Sequence, residues 1–362
     1  MAKLTAEAVE RYLATVFDKP VKVLGMAHLG EVLKGDSIKA YGYGKPVRID
    51  YRVADEAPQS AVFHTTSPSP FGHEHMSDRA QILLWAHQAF NRLPRHARSL
   101  DVGAFQSNRA LVSLGTLDEL CLLTEYVKGE GYNVDLERLR NSDSLTDGDL
   151  ARADALCDYL LEIHSTPGRD SGLYTRRIRD LVGHGECIMG LTDSYPPHHL
   201  IPPAMLEEIE HQCVKWRWKL KPLTQRLRQI HGDFHPWNIL FSDGADFRVL
   251  DRSRGEWGDP ADDVACITAN YLFFSLQRHE RLQGVLETLF QRFWQRYLAG
   301  SGDREMLRVV APFFAFRGLV MASPVWYPAL PDTVRQKLMT FVRTVLTEDE
   351  FDPQKVNHYC EA

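Results

Sequence analysis

The stretch that most constrains this chain is His231-Gly232-Asp233-Phe234-His235-Pro236-Trp237-Asn238-Ile239-Leu240, with its sequel Val249-Leu250-Asp251. An Asp and an Asn stand five positions apart in a short loop that runs into an apolar strand. Ser242-Asp243-Gly244-Ala245-Asp246 is a dense turn signal, and Phe247-Arg248-Val249-Leu250 resumes a strand. Two strands joined by such a turn run antiparallel, so the start of the first lies beside the end of the second. Asn238 and Asp251 are thereby brought together, with Asp233 on the loop just ahead of them. An amide oxygen and a carboxylate can share a magnesium ion, and a carboxylate beside them can take a proton from a hydroxyl. An Asp/Asn-rich hairpin serving only its own turns has no need of all these residues in this order.

The protein-kinase signature has the same Asp-to-Asn spacing and a later metal-binding Asp. The segment H-G-D-F-H-P-W-N-I-L, followed by V-L-D-R-S-R-G-E-W-G-D-P-A-D-D-V-A, resembles the aminoglycoside phosphotransferase and choline kinase group. These are small-molecule kinases with a protein-kinase-like fold. The resemblance is specific over residues 230–265 and architectural elsewhere. It implies an α+β chain of two lobes. Residues 1–128 would form a nucleotide-binding N-lobe of antiparallel sheet plus helix, and 129–362 a mostly helical C-lobe with the catalytic loop and the acceptor site. It implies ATP and Mg2+ as cofactors and phosphoryl transfer to a hydroxyl of a small molecule. Asp233 would then be the catalytic base, and Asn238 and Asp251 the metal ligands. His231 would brace the catalytic loop, and Asp259 would tie the following segment back to it.

Composition sets outer bounds. With 362 residues, 44% hydrophobic and 25% charged, the chain can bury a sizeable core in two domains or one two-lobed enzyme. A formal net charge of −6 offers no general attraction to nucleic acid or anionic membranes. The N-terminus meets charge at once and continues as an amphipathic helix rather than a signal-peptide core. Arg317 interrupts the longest apolar run, 311–325, short of membrane-spanning length. The six cysteines are scattered without a C-x-x-C pair, as in a cytoplasmic protein with reduced thiols. The expected partner is a small-molecule acceptor, not nucleic acid or membrane, and nothing in the sequence fixes the oligomeric state.

In the first lobe, residues 4–17 have helical spacing, and 21–32 form a strand with a glycine-bearing sequel. Residues 34–39, with Lys34, Gly35 and Ser37, are the preferred phosphate loop, because glycine lets backbone N–H groups approach oxygen anions. A second glycine-bearing loop, 39–46, competes with it, and a plain hairpin turn accounts for either. Val47-Arg48-Ile49-Asp50-Tyr51-Arg52-Val53 alternates as a half-buried strand, and 60–66 returns beside it. The resemblance implies a phosphate-contacting Lys or Arg on that second strand. His64 stands there instead, either as a weak clamp or as an ordinary strand histidine. A helix over 77–93, capped by Ser77, needs an early acid to hold the phosphate-contacting residue, and Asp78 and Glu74 both qualify. Strands over 98–105 and 120–126 complete a sheet of about five. Glu125, Tyr126 and Val127 fall where the resemblance places the adenine-binding hinge.

The second lobe reads as helices over 149–164, 205–220, 261–276, 277–299, 306–321 and 332–347, ending in a loosely held tail. Basic helical sequence over 173–181 is either a solvated arginine face or a substrate contact. Two features bear on the acceptor. Where members acting on cationic acceptors commonly carry an acid, Ser253 stands between Arg252 and Arg254. These guanidinium groups would repel a polycation such as an aminoglycoside, or would pair with Glu256, Asp259 or Asp262 as structural ion pairs. Trp237, where glycine is usual, either walls the acceptor pocket or packs beneath the loop. Beside the leading expectation of a kinase stand a nucleotide-binding pseudokinase without turnover and transfer of a nucleotidyl group to a protein.

Overall fold

A computed structural model describes residues 4–29, 44 and 46–361. The chain divides into two compact units, Met1–Thr124 and Glu125–Ala362. The favoured phosphate loop, with Lys34, Gly35 and Ser37, lies outside the described residues.

The first unit begins with helix α1, Ala6–Phe17, whose Thr5 N-cap hydroxyl accepts from Ala8 N at 3.3 Å. Strands β1 (Val21–His28), β2 (Val47–Val53) and β3 (Gln59–Phe63) form an antiparallel sheet in that order. The alternation predicted over 47–53 is observed: Ile49, Tyr51 and Val53 are buried with Val9, Tyr12 and Leu13 of α1 in one small core. Helix α2, Met76–Phe90, is capped two residues earlier than the expected Ser77. His75 is its N-cap, and Asp78 Oδ2 accepts from His75 N at 2.7 Å in a capping box.

Among the described residues the expected sheet of about five strands is not formed. Strands β4 (Gly103–Phe105) and β5 (Leu111–Ser113) make a separate two-stranded ribbon, and 121–129 carries no strand. Apolar alternation marks a strand only where a neighbour pairs with it and covers one face. Leu122, Leu123 and Tyr126 are instead 89%, 96% and 88% exposed.

The second unit opens with strand β6 (Glu130–Gly131) and helices α3 (Tyr132–Arg140), α4 (Asp147–His164) and α5 (Ser171–Gly183). Helices α6 (Ile188–Asp193) and α7 (Pro203–Leu220) lead to β7, Arg228–Gln229. The hairpin strands follow as β8 (Ile239–Asp243) and β9 (Asp246–Val249), and β10 (Trp257–Gly258) pairs back onto β7. Order β6-β8-β9 is antiparallel, with Ile239 opposite Val249 and Phe241 opposite Phe247.

Helix α8, Ala261–His279, is buried from Ala261 through Leu276 and forms the axis of this unit. A helix apolar on every side must be surrounded. Helices α9 (Gly284–Ser301), α10 (Ala311–Ala322) and α11 (Asp332–Thr347) supply the surround. The last residues are not the loose tail that their position suggests. Phe351 packs against Phe314 and Trp294, with ring centroids 4.8 and 5.5 Å away, and short α12 (Val356–Tyr359) buries Val356 and Tyr359.

All six cysteines are free; Cys121 is exposed, and Cys157, Cys187, Cys213, Cys266 and Cys360 are buried. Among the described residues no helix is long and apolar enough to cross a membrane.

Candidate active site

The chain leaves β7, makes the loop 231–238 and enters β8. Gly232 takes φ +86°, a left-handed conformation suited to glycine, and lets its backbone approach Arg177. The five-residue spacing is closed by a hydrogen bond: Asn238 Nδ2 donates to the Asp233 carbonyl at 3.1 Å. At the other end of the hairpin, Leu250 N donates to Asn238 O at 2.8 Å, which sets Asp251 one residue past Asn238's backbone partner. Asp251 is exposed, with φ +52°, a left-handed conformation that Asp tolerates better than most residues.

The loop is fixed from below by α8. Asp263, fully buried in its first turn, accepts from His231 N and Gly232 N, both at 2.7 Å. His164 Nε2 lies 3.1 Å from the same carboxylate, and His164 Nδ1 lies 2.7 Å from the Tyr297 hydroxyl. Burial alone would raise the Asp263 pKa, but the bond from His164 and the nearby donors bring it below the ordinary value. This corrects the role expected of Asp259. Asp259 instead accepts two bonds from Arg226 (2.8 and 2.9 Å), one from Tyr174 Oη and one from Ala261 N. It anchors the start of α8 rather than the loop. His231 acts within the loop, its Nδ1 accepting from Asp233 N at 3.2 Å.

Asp233 is 8% exposed, and cations face it from two elements. Arg317 of α10 donates to Oδ1 at 2.5 Å, and Arg254 Nη2 stands 3.7 Å from Oδ2. His235 Nε2 is 3.8 Å from Oδ2. Desolvation would raise the Asp233 pKa, but Arg317 and Arg254 outweigh it and hold the carboxyl below its ordinary value. Desolvation also pushes His235 down to about 4, so it is neutral near pH 7.

Behind this layer, Asp262 of α8 accepts from Arg177 at 2.6 Å and from Arg317 at 2.9 Å. Arg177 also donates to the Arg254 carbonyl at 2.7 Å. Arg177 is therefore a buried strut rather than part of a solvated face. Arg177, Arg317, Asp262, Asp263 and His164 were all missed as site residues by sequence reasoning. Arg317 left a signal as a charge inside an apolar run, Arg177 as part of a basic helical stretch, and Asp262 and Asp263 as part of the quoted motif.

Of the flanking pair, Arg252 is spent on backbone: it donates to Ile230 O at 3.0 and 2.7 Å and to Glu256 O at 3.2 Å. Arg254 lies over the Phe316 ring at 5.0 Å and turns toward Asp233. Neither arginine forms the ion pairs with Glu256, Asp259 or Asp262 that the sequence left open. Trp237 is 39% exposed and stacks on Phe274 with centroids 6.0 Å apart. Glu125 and Tyr126 are exposed and Val127 half-buried, while in the first unit His64 is exposed just past β3. Among the described residues no group of three or more His, Cys, Asp or Glu could hold a metal. Among the described residues neither the amide oxygen of Asn238 nor the carboxylate of Asp251 makes a hydrogen bond or ion pair. A neutral oxygen and a charged one form a donor pair that a hard divalent cation accepts.

The chain belongs to the phosphotransferase enzyme family, whose model matches residues 63–308. Its fold is accordingly α+β, small antiparallel sheets followed by a helical unit. Solved structures similar to it include amicoumacin kinase in complex with AMP-PNP and Ca2+ (14% identity, 88% of this chain and 91% of that one, TM-score 0.41). A glucosamine kinase (16%, 100% and 95%, TM-score 0.35) and Plasmodium vivax ethanolamine kinase (10%, 96% and 82%, TM-score 0.34) are others. No curated protein matched the sequence.

Proposed function

We propose that this protein is an ATP- and magnesium-dependent kinase that phosphorylates a hydroxyl of a small metabolite. The observation that carries the reading is the closed loop 231–238, in which Asn238 Nδ2 bonds back to Asp233 O at 3.1 Å. That bond commits the nitrogen of Asn238 and leaves its oxygen, with the Asp251 carboxylate, for a cation. Magnesium held there would offset charge on the nucleotide phosphates. Asp233 would orient the acceptor hydroxyl and take its proton as oxygen bonds to the γ-phosphorus and the bond to ADP breaks. We assign nucleotide binding to residues 1–128: Lys34, Gly35, Ser37 and His64 toward the phosphates, Glu125, Tyr126 and Val127 toward the base. Asp78 keeps a supporting role at the start of α2.

Arg254 argues for the acceptor's charge. A guanidinium 3.7 Å from Asp233 Oδ2 disfavours a polycationic aminoglycoside by like-charge repulsion. Arg252 leaves the acceptor site, because its donors serve backbone carbonyls. Trp237, stacked and part-exposed, remains a candidate wall.

Thermal melting with ATP and magnesium tests the reading on wild type, Asp251→Ala and Asp233→Asn. A ligand at about a hundred times its dissociation constant stabilises a fold by roughly 2.7 kcal/mol. A magnesium-dependent shift is expected in wild type and Asp233→Asn and not in Asp251→Ala. No shift with any nucleotide would sink the assignment. A pseudokinase reading is favoured by one observation, His64 exposed where the family resemblance implies a phosphate-contacting Lys or Arg. It predicts the same shift but no transfer to any acceptor. Product mass separates phosphoryl from nucleotidyl transfer.

A further inference from the structure

The residue that touches Asp233 most closely lies outside the family match, which ends at residue 308. Arg317 sits midway along α10 and is 5% exposed, among Phe313, Phe314 and Phe316. Its Nη1 donates to Asp233 Oδ1 at 2.5 Å, and its Nη2 donates to Asp262 Oδ1 at 2.9 Å and Gly232 O at 3.1 Å. The fork thus spans the loop carboxylate, the loop backbone and the first turn of α8. Asp262 is itself held by Arg177 at 2.6 Å, so the far end of the fork cannot drift. The other groups facing Asp233 are looser, Arg254 at 3.7 Å and His235 at 3.8 Å, and both stand on the Oδ2 side.

A buried guanidinium is costly unless each face is paired, and a planar fork fixes a carboxylate in a way that the single nitrogen of lysine does not. An unclamped Asp side chain has a broad, two-fold χ2 preference and would offer either oxygen to an acceptor. Transfer needs the reacting atoms held within a narrow range of distance and angle.

We propose that Arg317 is the positioning residue of the transfer step: it clamps Asp233 through Oδ1, so that Oδ2 alone faces the acceptor hydroxyl. The inference rests on the reading of Asp233 as the base, and the experiment separates the two. With the acceptor unidentified, the probe is MgATP with water as acceptor. Water oxygen bonds to the γ-phosphorus, the bond to ADP breaks and the water proton passes to Asp233. Phosphate release is measured for wild type, Asp233→Asn, Arg317→Lys and Arg317→Ala, with melting shifts in MgATP alongside.

Arg317→Lys is expected to lower kcat about tenfold and Arg317→Ala about a hundredfold, with KM for MgATP and the melting shift unchanged. Methylguanidinium in solution should restore part of the Arg317→Ala rate. Wild-type kcat in both variants overturns the proposal, as does a loss of MgATP binding that parallels the loss of turnover. If Arg317→Ala does not fold, Arg317→Lys decides. Hydrolysis absent from wild type, or unchanged in Asp233→Asn, defeats the base reading and this inference with it. Loss in Asp233→Asn but not in the Arg317 variants defeats this inference alone.

Discussion

Gly232 shows how little room the loop leaves. A Cβ there would stand 3.3 Å from Arg177 Nη2 and 3.5 Å from Arg254 Cβ, on a backbone at φ +86°. Gly232→Ala should cost about 1–2 kcal/mol for the left-handed conformation alone. It also presses on the strut that holds Asp262, so the melting temperature should fall in the absence of any ligand. An unchanged melting curve would mean that the loop can relax away from Arg177. The five-residue spacing of Asp233 and Asn238 was legible because both residues lie in one short loop; the hydrogen bond that closes it was not. Nor was the tie from α8. Asp259, Asp262 and Asp263 stand within five residues, and only packing tells which one faces the loop. Asp263 does, while Asp259 points to Arg226.

At the scale of elements, the entry into α8 and its first turn gather buried charge, Asp259 ahead of the helix and Asp262 and Asp263 within it. Asp259 is fully buried, and although burial would raise its pKa, Arg226 and its other donors bring it below the ordinary value. A depressed folded pKa adds stability that is complete above the unfolded value, near 4, and is lost as pH falls below it. The melting temperature should therefore hold down to about pH 4 and fall steeply beneath it. Asp259→Asn, which leaves Arg226 short of a partner, should lose about 3–5 kcal/mol at neutral pH and show a shallower acid limb. An acid limb as steep as that of wild type would assign the transition to other carboxylates. Helix α11 starts and ends where its apolar period predicts, because a stripe facing one core depends only on local spacing. Residues 120–126 show the opposite case. Leu120, Leu122 and Leu123 supply strand-like sequence, but pairing is a property of two segments, and no ladder forms there.

For the whole molecule, two units with separate cores imply that one melting temperature need not describe both. The second unit is closed by its own C-terminus, since Phe351 fills the space between Trp294 and Phe314. Phe351→Ala should cost about 3–5 kcal/mol and lower the transition of that unit in calorimetry. A transition that does not move would show that the aromatic cluster closes up without it. Position in the chain suggested a free tail; the ring packing that contradicts it involves partners far away in sequence.

The distribution of thiols has a practical consequence. With Cys121 facing solvent and the other five cysteines enclosed, the native protein should react with a thiol reagent once quickly and a further five times only after denaturation. A fluorophore could then be attached at Cys121 without prior mutagenesis. It would stand in the first unit, three residues ahead of the Thr124–Glu125 division, and report on that unit's own melting.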